Sequence, residues 1–256
     1  GWTALHWSTR KGRTEVVQLL AQKGADLHAK DKNEFTALHE AACGGKNAVL
    51  EVLLQYEASA KLQDKKGETP LHVAAKTGWS GMRGLDLLLQ AGADLEARNK
   101  EGMTPLHCAA LHGQTSMCNL LLQRGAHLEA LDVQSNTVLM SAAKGIGNWA
   151  PDTCKLLIES GANVHAQNRE GLTALHWAAF YCRSGVCLVL VQKGASLMAM
   201  DINGCTPLHM AAKSTKSGAP ETYHKLVQMG AKTDAVNNQG ETPASLAQWL
   251  QQQVPK

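Results

Sequence analysis

Eleven histidines are the residues of this chain best suited to chemistry, because imidazole titrates near neutral pH and readily ligates metals. Six of them, His6, His39, His72, His107, His176 and His209, occupy one recurring position, the fourth residue of a phrase that begins with threonine. Residues repeated at one slot of a repeating unit share a structural task, so none of the six is a candidate ligand or proton carrier. The other five, His28, His112, His127, His165 and His224, lack ligand spacing. The nearest thing to a zinc set is His107-Cys108 with His112 and Cys118, yet helical spacing points these to different faces and to different helices. Every cluster of Gly and Asp is already accounted for by the repeated turn. No phosphate loop, nucleophile elbow or carboxylate pair remains. No catalytic residue, metal or cofactor is expected, and the chain is read as non-enzymatic.

The phrase that positions these histidines is Thr-Ala-Leu-His at Thr3–His6, Thr36–His39 and Thr173–His176, with Pro for Ala at Thr69–His72, Thr104–His107 and Thr206–His209. Degenerate copies at Thr137–Met140 and Thr242–Ser245 complete the series. The intervals between successive threonines are 33, 33, 35, 33, 36, 33 and 36 residues. A period near 33 marks a tandem repeat in which each unit leans on its neighbours, which predicts one elongated body.

One unit shows the logic. Asp64-Lys-Lys-Gly67 has turn composition, with glycine free to take positive φ. Thr69 is placed to cap a helix, Pro70 sits where a missing N–H is harmless, and Leu71, Ala74 and Ala75 give a narrow apolar face. After a break near Gly78, Leu85 to Leu89 supply a second helix with a broader apolar face, ended by the glycine of Gly92-Ala-Asp94-Leu95. Neither helix is long enough to stand alone, so each pair must bury its leucines against the next.

These motifs, Asp-x-x-Gly-x-Thr-Pro-Leu-His-x-Ala-Ala followed by Leu-Leu-Leu and Gly-Ala-Asp, resemble the ankyrin repeat family along essentially the whole chain. The resemblance implies an all-α ankyrin-repeat solenoid of stacked helix-turn-helix units with projecting turn fingers. It places units near 1, 34, 67, 102, 135, 171 and 204, and a partial C-terminal cap at 240–256, in a single domain. It also implies that the recurring histidine ties one unit to its neighbour's backbone. Departures from the pattern are Glu34 and Ser135 at the turn glycine, Met140 for the histidine and Cys182 where helix A usually ends in Gly. The fifth unit is the least regular and is expected to be the least stable layer. Gly1 starts inside a unit, which suggests a longer parent protein. Thr242–Gln253 reads as one final helix with Leu246, Trp249 and Leu250 inward and Gln251 to Gln253 outward.

Bulk properties narrow the function. A formal charge of +3 is too small to argue for nucleic-acid or membrane binding. No apolar run reaches the roughly 18 residues that cross a bilayer. Seven cysteines without paired spacing read as reduced thiols, most of them packed as small apolar residues, in a cytoplasmic or nuclear protein. The chain is expected to be monomeric in isolation.

In the family, the turn tips, the residue before each threonine and the end of helix A line the concave face. In units one to four these positions hold Arg10, Lys11, Lys30, Lys32, Lys65, Lys66, Lys76, Arg98 and Lys100 against Asp31, Glu34, Asp64, Glu68 and Glu101. The local excess of basic charge exceeds that of the entire chain. In units four to seven the same positions become Met103, Leu111, His112, Leu131, Val133, Leu172, Phe180, Tyr181, Met200 and Ile202, an apolar stripe expected to be exposed. Extra residues between helices A and B, around Gly78–Gly81, 145–151 and 214–220, bring Trp79 and Trp149 forward as a second contact surface.

The reading is a protein-interaction scaffold for a peptide or protein surface with acidic residues toward units one to four and apolar residues toward units four to seven. Two alternatives come from other classes. One is a sensor of a small phosphorylated or nucleotide-like ligand held by Lys65, Lys66, Arg98 and Lys100. The other is an architectural spacer in a larger protein.

Overall fold

Each recurring threonine sits in extended backbone, as at Thr36 (φ −101°, ψ 168°) and Thr104 (φ −84°, ψ 167°), and the chain turns helical at the next residue. A side-chain oxygen at that position accepts an otherwise unpaired N–H of the first helical turn. The computed structural model describes residues 1–78, 82–145 and 150–247, and these form fifteen helices.

They fall into two compact units, Gly1–His127 and Leu128–Lys256. The first holds α1 (Ala4–Arg10), α2 (Thr14–Gln22), α3 (Ala37–Cys43), α4 (Asn47–Gln55), α5 (Pro70–Thr77), α6 (Arg83–Gln90), α7 (Pro105–Leu111) and α8 (Thr115–Gln123). The second holds α9 (Val138–Lys144), α10 (Ala150–Glu159), α11 (Ala174–Phe180), α12 (Ser184–Gln192), α13 (Pro207–Lys213), α14 (Ala219–Gln228) and α15 (Pro243–Leu246). Within each unit the capped inner helices stack on one another, α1 on α3 on α5 on α7 and α9 on α11 on α13 on α15. The outer helices form a parallel row, α2 on α4 on α6 and α10 on α12 on α14.

The core of each unit is the seam between the two rows. Leu38, Leu71 and Leu106 of the inner helices and Leu50, Leu53, Leu85, Leu88 and Leu121 of the outer ones are fully buried in the first unit. Leu139, Leu175, Leu208, Leu157, Leu190 and Leu226 repeat the pattern in the second. Paired alanines such as Ala74-Ala75 and Ala178-Ala179 are solvent-free, which lets adjacent inner helices approach closely.

The turns that precede the threonines project as fingers and join edge to edge. Lys65 N–H donates to Asn33 O at 2.9 Å and Lys100 N–H to Lys66 O at 2.9 Å in the first unit. Ile202 N–H donates to Glu170 O at 3.0 Å and Asn238 N–H to Asn203 O at 2.9 Å in the second. Glu34 (φ 60°) and Ser135 (φ 62°) adopt the left-handed backbone that glycine holds in the other fingers, and Cys182 (φ 56°) does so after α11. Pro151 and Pro220 fall in the first turns of α10 and α14, as their sequence position implies. The final helix is described only as Pro243–Leu246. Trp249 and Leu250 lie outside the described residues, as do Trp79 and Trp149.

Candidate functional site

The histidines settle first, because their geometry fixes what they do. Thr36 N–H points to His39 Nδ1 at 3.2 Å, and His39 Nε2 lies 3.0 Å from Glu68 O of the next repeat. A carbonyl only accepts, so Nε2 carries the proton and Nδ1 accepts. His6, His72, His176 and His209 repeat the bridge to Phe35, Met103, Cys205 and Glu241. Both ring nitrogens are therefore spent on capping one helix and tethering the next finger. Burial pushes the imidazoles of His39, His72, His176 and His209 below the usual histidine range, against the carbonyl bonds that favour the charged form.

In the first unit, two clefts gather the basic residues named from sequence. One, of about 640 Å³, has an apolar wall of Trp2, Phe35 and Val73, with Glu40 and Cys43 beside it and Lys32, Lys65, Lys66 and Lys76 at its edge. The acids there are largely turned inward. Asp31 accepts from Asn33 N–H, Phe35 N–H and the Trp2 indole at 2.7, 2.9 and 3.1 Å. Burial raises its pKa, and these donors outweigh that effect and hold the carboxyl below its ordinary value. Asp64 accepts from Lys66 N–H and Glu68 N–H, and Glu68 pairs with Lys76. Accepting N–H bonds leaves the formal charge of these carboxylates in place, so the acids still count against the lysines while their oxygens are engaged by the fingers. Glu40 differs: burial raises its pKa, and Arg10 and His6 offset this only in part.

The second cleft, of about 430 Å³, lies among the fingers and brings together Lys30, Lys61, Arg98 and Lys100 with Glu34 and Asp64. Arg10 stands over the Trp2 ring at 5.0 Å. Lys11 is exposed and lines neither cleft.

In the second unit the named aromatics form part of a larger cluster. Phe180 meets Tyr181 edge-on at 5.4 Å between centroids, and Tyr181 lies 6.0 Å from Trp177. Lys144 Nζ sits 3.9 Å above the Trp177 ring, and Lys216 Nζ is 5.3 Å from the Tyr181 ring. Trp177 Nε1 donates to Asn136 Oδ1 at 3.1 Å, which fixes the indole against the neighbouring finger. All three residues are half-buried. The finger edges of this unit carry exposed Leu131, Val133, Met200 and Ile202.

Two members of the expected apolar stripe are corrected. Met103 and Leu172 are buried, at 8% and 3% exposure. They share the slot just before the capping threonine, which turns inward through most of the chain: Glu68, Asn136 and Cys205 are buried there too. Leu111 and His112 are half-buried, and His112 Nδ1 lies 2.9 Å from Cys108 O of its own helix.

Sequence reading missed Trp177, Lys144, Lys216 and Val236. Trp177 stands one helical turn before Tyr181, so its position was readable. Val236 is exposed at 58% in the finger slot of Leu131 and Met200. The lysines were not readable, because stacking on a ring one repeat away requires the folded geometry. Trp2 and Phe35 escaped notice although both hold the slot before a threonine. Among the described residues, no group of three or more His, Cys, Asp and Glu side chains is arranged to hold a metal.

Comparison with known proteins agrees with this architecture. The family model for ankyrin repeats (three copies) matches residues 1–64, 38–132 and 139–237. Human Rabankyrin-5 is 37% identical over 73 residues, which make up 28% of this chain and 6% of that protein. The crystal structure of the human ASB11 ankyrin repeat domain superposes with a TM-score of 0.75 at 24% identity, covering 90% of this chain and 99% of that one. The ankyrin repeat domain of Bcl-3, described as a unique member of the IkappaB protein family, gives a TM-score of 0.66 at 30% identity, covering 88% and 99%.

Proposed function

Because the chain belongs to the ankyrin-repeat family, whose domains are protein-interaction modules and generally non-catalytic, we propose that it is a scaffold that binds a peptide segment or protein surface along its inner helices and fingers. The observation that carries this reading is the cluster of Trp177, Phe180 and Tyr181 between Lys144 and Lys216. Aromatic residues fixed on a rigid element lose little entropy on binding and are favoured as interface anchors. The exposed Leu131, Val133, Met200 and Ile202 extend an apolar surface beside it.

In the first unit the exposed Lys32, Lys65 and Lys66, with their neighbouring acids turned inward, suit the acidic residues of a partner. A preformed surface leaves the ordering cost to the bound segment alone. Among the described residues no helix is long and apolar enough to cross a membrane. The free cysteines fit a reducing compartment, the cytoplasm or nucleus.

The test is affinity capture from a lysate with the wild-type chain and a Phe180→Ser/Tyr181→Ser variant whose circular dichroism and thermal midpoint are unchanged. The proposal expects a protein retained by the former and lost, by at least tenfold, from the latter. Equal retention by both would move the interface away from α11.

A further inference from the structure

The cleft among the fingers of the first unit has a charge balance that the aromatic surface does not explain. Lys30, Lys61, Arg98 and Lys100 converge there from three successive repeats. Two carboxylates face them. Asp64 already accepts two finger N–H groups, at 2.8 Å from both Lys66 N and Glu68 N. Glu34 pairs with Lys30 at 2.9 Å. Four cations against two anions leave two positive charges, and among the described residues Lys61 and Lys100 form no ion pair.

Glu34 shows what the cleft attracts. It holds left-handed backbone, φ 60°, where the next two fingers use Gly67 and Gly102. The hydrogen bond and charge of Lys30 hold its carboxyl below the usual range despite slight desolvation, and Lys100 and Lys65 add to the effect. It is a resident anion at the mouth of a cationic cleft. Gly67 lets the walls close up. A Cβ there would stand 2.9 Å from Lys100 N and 3.2 Å from its Cγ, so any side chain would push the fingers apart.

We infer that this cleft binds the phosphate monoester of a phosphorylated peptide segment. A single carboxylate would leave one positive charge unmet, whereas a phosphate monoester carries about −1.5 to −2 at pH 7 and offers three acceptor oxygens. Lys61 and Lys100, from successive repeats, can meet those oxygens from different directions, and Arg98, which already donates to Gly102 O at 3.4 Å, adds charge. The inference deepens the scaffold reading by naming the acidic group that the basic unit takes.

The experiment is calorimetric titration of the whole chain with inorganic phosphate, O-phosphoserine and, as a control, serine. Saturable one-to-one binding of the two phosphates and none of serine is expected. Lys61→Ala/Lys100→Ala should weaken it at least tenfold, while Lys155→Ala/Lys232→Ala, of equal charge loss in the second unit, changes it less than twofold. Glu34→Gly should tighten it severalfold by removing the competing carboxylate. Each variant is checked for a thermal midpoint no lower than that of the wild type. Absent saturation, equal binding by Lys61→Ala/Lys100→Ala, or weaker binding by Glu34→Gly overturns the inference. Binding of inorganic phosphate without O-phosphoserine overturns the peptide assignment. Lost phosphate binding with partner capture intact refutes this inference alone; the reverse refutes the scaffold reading alone.

Discussion

The tethering histidines make this fold sensitive to pH in a defined direction. His39, His72, His176 and His209 are held neutral by burial, below their ordinary value of 6.5. Protonation would also place a hydrogen on Nδ1, where the capping threonine's N–H must donate. A depressed histidine pKa means that the unfolded chain takes up protons first as pH falls, so stability is complete above about 6.5 and declines below it. The urea midpoint should be flat from pH 8 to 7 and drop steadily from pH 6.5 to 5; a flat profile throughout would show that these imidazoles are not buried neutral. The cysteines make a second residue-scale prediction. Cys43 is exposed and Cys182 half-buried, whereas Cys108, Cys118, Cys154, Cys187 and Cys205 are buried. Burial raises the thiols of Cys108, Cys118 and Cys187 to about 12. Thiol titration of the native chain should label Cys43 first and Cys182 next, and reach all seven only in denaturant. Rapid labelling of more than two would contradict the packing.

At the scale of elements, the sequence was most readable where one residue type has one physical use. Threonine before Pro-Leu-His or Ala-Leu-His marked six of the eight described inner helices to within a residue, because capping demands both extended backbone and a side-chain oxygen. The turn exceptions were legible for the same reason: Glu34 and Ser135 stand where glycine is expected, and both have positive φ. A side chain in that conformation costs about 1 kcal/mol, partly recovered because glycine gives the unfolded chain more freedom. Ser135→Gly should therefore raise stability by about 0.5 kcal/mol in urea unfolding. Gly171→Ala should do the opposite, by about 2 kcal/mol or more, because a Cβ there would stand 3.0 Å from Asp201 Cα and Ile202 N of the next finger. Neutral effects at both positions would mean that the fingers are not held edge to edge as described.

At the scale of the whole molecule, the binding surface was less legible than the fold, and the errors have one cause. Which side chains reach solvent depends on how neighbouring repeats cover a slot. Met103 and Leu172 looked available because their type is unusual, yet their slot turns inward. Trp177 went unnoticed, yet with Lys144 above it the ring becomes part of a cationic and aromatic surface. Polar contacts followed the same rule: Asp31 and Asp64 keep their formal charge, yet in the fold their oxygens are engaged by finger N–H groups rather than left to a partner. The periodic core is written once per repeat and read by periodicity; the surface is written across repeats and is read only after they stack. Hydrogen exchange by mass spectrometry on the chain with and without a captured partner tests whether the inner helices and fingers of the second unit form the binding surface. Slowed exchange is expected in residues 173–183 and in the finger at 200–206, with the outer helices α10 and α12 unchanged. Protection confined to α10 and α12 would contradict it, because the partner would then sit on the face opposite the inner helices and their aromatic cluster.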